Sequence, residues 1–173
     1  MLLERQPIGA DQSMLAAVAS MYVGERYASR ISKRLDPCSP ETGFDCSGFV
    51  SYVLRRSGIQ LPMDLGRAPR TVFQLYNATN EGRTSLGDQE RGDIVFFYSR
   101  NQLSSSSRDI CSRPRGDIMV SPEEFVHANT NNELGGMYVT RSSLSDKLEK
   151  YCKIYTNNNP DELVLFGKIP NQN

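Results

Sequence analysis

The sequence predicts an α+β domain, with helices first and an antiparallel sheet after them. Three observations predict it. In the first third, Met14, Leu15, Val18, Met21 and Tyr22, and then Phe49, Val50, Val53 and Leu54, recur at helical spacing. From Asp93 onward the apolar residues fall into short β-branched and aromatic runs separated by turn material. Helices followed by strands, without regular alternation between them, are the pattern of α+β rather than α/β folds.

Residues 1–12 read as a loose N-terminal segment and 13–170 as one domain. The first helix is capped by Asp11 or Ser13, runs through Tyr22 and stops at Gly24. Residues 25–43 carry Pro37, Pro40 and Gly43 and read as a loop. A second helix starts at Cys46, turns Arg55 and Arg56 outward and stops at Gly58. After an irregular connection through Pro62 and Pro69, residues 70–76 form a short helix and 77–90 polar turn material. Residues 93–98 read as a buried strand, and 99–116, with Ser104 to Ser107, as a polar insertion. Residues 117–120 and 125–128 are two strands around a tight turn at Ser121-Pro122-Glu123-Glu124, and 137–140 another strand. A helix over 142–152 and a strand over 163–166 complete the domain.

Composition limits what this domain does. Its 173 residues suffice for a proper core, and 38% hydrophobic with 23% charged residues suits an ordinary globule. Twenty basic and twenty acidic residues give a formal charge of zero, so no basic field calls for nucleic acid. No run approaches the roughly 18 apolar residues of a membrane span. Met1-Leu2-Leu3-Glu4-Arg5 is too charged for a secretory signal. No metal or cofactor is expected. Of Cys38, Cys46, Cys111 and Cys152, at most one disulfide is expected among the three other than Cys46.

The chemistry centres on Phe44-Asp45-Cys46-Ser47-Gly48-Phe49-Val50, a turn that delivers a cysteine onto the first turn of a helix. Unpaired N–H groups and the positive end of the macrodipole favour the thiolate there, and the thiolate is the nucleophile. A buried, inert cysteine is the commoner fate, but Asp45 and Ser47 bracket Cys46 with polar groups and Gly48 leaves room for a substrate. A cysteine nucleophile is usually paired with an imidazole that takes and returns its proton. His127 is the one histidine in the chain.

The segment Gly43 to Val50 resembles the nucleophile motif of the NlpC-type cell-wall endopeptidases, papain-like cysteine peptidases that cut peptidoglycan stem peptides. Tyr22-Val23-Gly24-Glu25-Arg26-Tyr27 is similar to the family's Y-x-G-x-x-Y approach. Pro69-Arg70-Thr71 with Gln74 resembles its P-R-T-x-x-Q segment. Residues 92–97 resemble the G-D-L-V-F-F strand, 125–128 the F-I-H-A strand, and 137–144 the V-R-I-S-S-L stretch. These segments stand in family order and cover nearly the whole chain beyond residue 13.

The resemblance implies a papain-like α+β fold with the nucleophile on a helix packed against an antiparallel sheet. It implies hydrolysis of γ-D-glutamyl or similar bonds in peptidoglycan peptides, with Cys46 as nucleophile. Asp45 and Ser47 match positions that hold the amino end of the stem peptide, with a helix cap as the other, compatible role of Asp45; Tyr27 matches a pocket tyrosine, and Arg70 is a further candidate contact or a solvated surface charge. The implied location is periplasmic, cell-surface or secreted, reached through a trimmed leader or a dedicated secretion machine. His127 matches the family's orienting residue, whereas the position of the catalytic His falls at Arg115. An arginine stays protonated and cannot serve as base.

Three expectations therefore stand. His127 forms a dyad with Cys46; or the domain is inactive and binds peptidoglycan or a protein partner; or the thiol acts on another substrate. Cys38 is a candidate regulator of Cys46 through disulfide formation, with a simple buried thiol as the bland alternative.

Overall fold

The computed structural model describes residues 10–28, 38–61, 72–79, 83–97, 115–128, 138–155 and 164–169. Four helices and eight strands occur among them. They run α1 (Ala10–Met21), β1 (Cys38–Ser39), β2 (Gly43–Phe44), α2 (Cys46–Arg56), α3 (Val72–Ala78), β3 (Arg83–Thr84), β4 (Ile94–Phe97), β5 (Arg115–Met119), β6 (Glu124–Ala128), β7 (Val139–Ser143), α4 (Leu144–Tyr155) and β8 (Val164–Gly167). Strands β3-β8-β4-β5-β6-β7 form one sheet in which every pair is antiparallel, and β1-β2 form a separate antiparallel ladder. The expected α+β arrangement is the one observed.

Alternation along the strands sorts side chains onto two faces. Ile94, Phe96, Ile118, Val120, Val126 and Ala128 belong to the core that α1, α2 and α3 cover. Val95, Phe97, Met119, Phe125, Val164 and Phe166 form a second cluster, closed by Leu144 and Leu148 of α4. Strand β4 is buried on both faces, which explains why 94–97 reads as an unbroken apolar run.

Helix α2 behaves as its spacing predicts: Phe49, Val50, Val53 and Leu54 are buried, Arg55 and Arg56 lie in its last turn, and Gly58 adopts φ 71° just beyond its end. Helix α1 does not. It begins at Ala10, before the expected cap, and the expected apolar face is turned: Met14 is 53% exposed and Met21 76%, while Leu15, Ala16 and Ala19 are fully buried. Small alanines let the helix lie close to its neighbours, and that packing overrides the placement of the longer side chains.

Strands β1, β2 and β3 fall where only loop or turn was expected, because two residues carry no period to read. The strand expected over 137–140 is Val139–Ser143, and the helix expected from residue 142 begins at Leu144. Register with β6 decides that boundary, since Glu124 pairs with Ser143. The end of the expected insertion, residues 115 and 116, is strand β5. Residues 99–114, including Cys111, lie outside the described residues.

One buried acid makes stability depend on pH. Asp93 is fully buried before β4, accepts a hydrogen bond from the Glu90 N–H (2.8 Å) and lies 3.9 Å from Lys168 Nζ, which itself pairs with Glu90 at 2.6 Å. Burial pushes its carboxyl from 3.8 up to about 6, against the Glu90 N–H and Lys168, which pull it down. The folded protein thus holds this proton more tightly than the unfolded chain. The resulting stabilisation is complete below about pH 3.8 and is lost as pH rises through about 6. Asp93→Asn is therefore expected to gain stability relative to the parent between pH 4 and 7, by on the order of 2 kcal/mol. Urea unfolding of both proteins across that range measures it; a constant difference would refute the raised carboxyl.

Candidate active site

The nucleophile turn is assembled from three backbone segments. Phe44 pairs with Cys38 across β1 and β2 and with Tyr27 through an isolated parallel bridge. The Phe44 N–H donates to the Arg26 carbonyl (2.9 Å), and the Ala28 N–H donates to the Phe44 carbonyl (3.0 Å). The same 24–28 segment reaches β7 on its other side, where the Gly24 N–H meets the Val139 carbonyl and the Val139 N–H the Glu25 carbonyl, both at 2.8 Å. Beneath the turn, Phe44 is fully buried and meets Tyr22 and Phe49 edge-on, with ring centroids 6.0 and 5.6 Å apart. The hydroxyls of Tyr22 and Tyr52 meet at 3.2 Å, and that bond together with burial pushes the Tyr52 phenol up to about 12.

Asp45 then leaves the strand with φ −87° and ψ 175° and caps α2. Its Oδ1 accepts from the Gly48 N–H at 2.6 Å and from the Ser47 hydroxyl at 3.4 Å, and its carbonyl accepts from the Phe49 N–H at 2.9 Å. Cys46 is thereby the first residue of α2, a half-buried thiol at the positive end of the helix. Asp45 thus has the helix-capping role, whatever else it contacts. Asp45→Ala should lower stability by about 1 kcal/mol, the usual value of a cap, read as a shifted midpoint in denaturant unfolding. An unchanged midpoint would mean that the 2.6 Å bond contributes nothing.

The imidazole comes from the sheet. Val126 and Ala128 join the core under α2, while His127, 1% exposed, stands beside Phe125 with ring centroids 4.8 Å apart. His127 Nε2 lies 2.8 Å from Ser142 Oγ and 3.1 Å from Thr140 Oγ1, both on β7. Helix α2 packs on β5 and β6 through the face of Ile118, Val126 and Ala128, whereas His127 alternates onto the other face with Phe125, so the strand but not the ring of His127 neighbours the helix of Cys46.

Tyr27, Asp45, Cys46 and Ser47 are brought together in and beside one turn, and Arg115 is the first residue of β5, opposite Phe97. Arg70 lies outside the described residues. Cys38 is half-buried on β1, and Cys152 falls within α4. Sequence reasoning missed Ser142 and Thr140; their alternation in a strand-like stretch before a helix is the signal that could have found them. Among the described residues no group of His, Cys, Asp and Glu is arranged to hold a metal ion.

A thiol on the first turn of a helix, laid against an antiparallel sheet that carries a buried imidazole, defines an α+β domain of the papain-like cysteine type. The chain belongs to the NlpC/P60 family, whose model matches residues 24–153. It is 36% identical over 135 residues to the Gamma-DL-glutamyl hydrolase of Bacillus subtilis strain 168, which covers 78% of this chain and 26% of that protein. It is 35% identical over 66 residues to the Murein DD-endopeptidase MepH of Escherichia coli K12, covering 37% of this chain and 21% of MepH. The chain thus spans about a quarter of the length of these relatives. Among solved structures it resembles an NLP/P60-family protein of Staphylococcus aureus Mu50 (TM-score 0.58, 22% identity, 93% of this chain and 42% of that one). It also resembles the peptidoglycan hydrolase RipB of Mycobacterium tuberculosis (TM-score 0.56, 15% identity, 98% and 70%).

Proposed function

We propose that the chain is a cysteine peptidase that hydrolyses γ-D-glutamyl bonds to the diamino acid in peptidoglycan stem peptides. The observation that carries this reading is Cys46 at the first position of α2, capped by Asp45, in a chain 36% identical to a protein named Gamma-DL-glutamyl hydrolase. The Cys46 thiolate attacks the scissile carbonyl carbon, a C–S bond forms, and the oxyanion meets the Cys46 N–H at the helix end. For His127, the sole imidazole of the chain, to protonate the leaving amine, its ring swings from the Phe125 side of β6 towards Cys46, and water then releases the acyl group from sulfur. Tyr27, Asp45, Ser47 and Arg70 contact the stem peptide. The names of the relatives, a muramidase/DL-endopeptidase and a murein endopeptidase among them, support a peptidoglycan partner and action outside the cytoplasm.

A second reading has its own support. Arg115 begins β5 where the family resemblance calls for a catalytic imidazole, and a guanidinium cannot shuttle a proton. On this reading the domain binds a peptidoglycan or protein partner without cutting it. Incubation with purified disaccharide peptides, followed by mass spectrometry, separates the two: γ-D-glutamyl cleavage supports the peptidase, and binding without any product supports the silent module. Alkylation rates add a second measure. The half-maximal pH for Cys46 is expected below the ordinary thiol value of about 8.5; a value at or above it would remove helix-end activation from the account.

A further inference from the structure

Half-buried Tyr52 of α2 is where the parts that hold the nucleophile turn meet. Its ring centroid lies 5.2 Å from that of Phe44 and 5.1 Å from that of Tyr22, which it meets edge-on at 89°. With Phe49, these rings enclose Phe44, two residues before Cys46. The Arg55 guanidinium stands 5.9 Å over the Tyr52 ring and donates to the Cys38 carbonyl at 3.4 Å, and Cys38 pairs with Phe44. Above all, the Tyr52 hydroxyl lies 3.2 Å from the Tyr22 hydroxyl. That bond joins two walls of the site. Tyr22 opens the segment that runs through Tyr27 and is tied by its backbone to Phe44 and Val139. Tyr52 belongs to the helix that begins at Cys46. Rings alone would fill the space around Phe44; the hydroxyl pair adds a bond with a direction.

We infer that Tyr52, through its hydroxyl bond to Tyr22, is a positioning residue for Cys46: it sets the spacing between the helix that carries the nucleophile and the Tyr27 segment. The Tyr52 phenol, pushed up to about 12 by that bond and by burial, is uncharged at neutral pH. Removing the hydroxyl therefore deletes a bond and no charge. This inference rests on the peptidase reading, because the spacing has catalytic meaning only where Cys46 attacks a peptide held by the Tyr27 segment. An attack by oriented groups depends steeply on their placement, and a misplacement of about 1 Å costs about 10²-fold.

The test compares Tyr52→Phe, Tyr22→Phe and the double variant with the parent; each keeps both rings, so the packing around Phe44 survives. Hydrolysis of purified disaccharide peptides is measured beside alkylation of Cys46 by iodoacetamide. Each single variant is expected to lower kcat by about 10-fold with KM changed by no more than about twofold, the loss of one bond shifting the walls by less than about 1 Å. Alkylation should stay within about twofold of the parent, since a small reagent needs the thiolate and not the spacing. The double variant should be about as slow as either single one, because both deletions break the same bond. Single variants that keep the parent kcat, losses that multiply in the double variant, or alkylation that slows in step with hydrolysis would each overturn the positioning role alone. A parent without turnover would overturn the peptidase reading, and this inference with it.

Discussion

Cys46→Ala is expected to abolish hydrolysis of peptidoglycan peptides while leaving the fold in place. The thiol is the stronger nucleophile of the turn, and the neighbouring Ser47 hydroxyl donates to Asp45 Oδ1. Removing the nucleophile of a covalent hydrolase leaves only binding and oxyanion stabilisation, so a loss of at least about 10³-fold is expected. Stability should move by no more than about 1 kcal/mol, because Cys46 is half-buried and alanine is the best helix former. Parallel measurement of product release and of the thermal midpoint checks both halves. A variant that keeps a tenth of the parent's rate would sink Cys46 as nucleophile.

A large effect on stability is expected at Gly43. It adopts φ 80°, and a Cβ built there would stand 2.8 Å from Ala28 Cβ and 3.0 Å from the Arg26 carbonyl oxygen. A β-branched residue is a strained outlier at positive φ, and such strain costs on the order of 1–3 kcal/mol before any clash is counted. The Arg26 oxygen cannot simply retreat, since it accepts the Phe44 N–H that ties the 24–28 segment to the nucleophile turn. Gly43→Val should therefore lose about 3 kcal/mol or more in urea unfolding and, because the Tyr27–Phe44 bridge opens, slow alkylation of Cys46. An unchanged midpoint would show that the three-segment junction yields without loss.

Much of the fold was legible because α2 and β4 announce themselves. The apolar spacing of Phe49, Val50, Val53 and Leu54 matches a helix face, and the shortness and β-branched and aromatic content of the run 94–97 favour a strand. The two-residue strands β1 and β2 were not legible, although they hold Phe44 in place. Nor was the buried face of α1, where Ala16 and Ala19 are chosen over Met14 and Met21 by the shape of what they pack against. Strand β7 shows the same limit. Val139-Thr140-Arg141-Ser142-Ser143 has one apolar residue, and only pairing with β6 makes it a strand.

The candidate site divides along the same line. Sequence by itself determined that Cys46 begins a helix, that Asp45 precedes it as a capping residue, and that His127 is the one imidazole available, because capping, turn chemistry and composition are local properties. Only the tertiary structure decided that Tyr27 lies against Phe44 and that Ser142 and Thr140 meet His127 Nε2. Those neighbours are set by strand register, and register follows from hydrogen-bonded pairing between segments far apart in the chain.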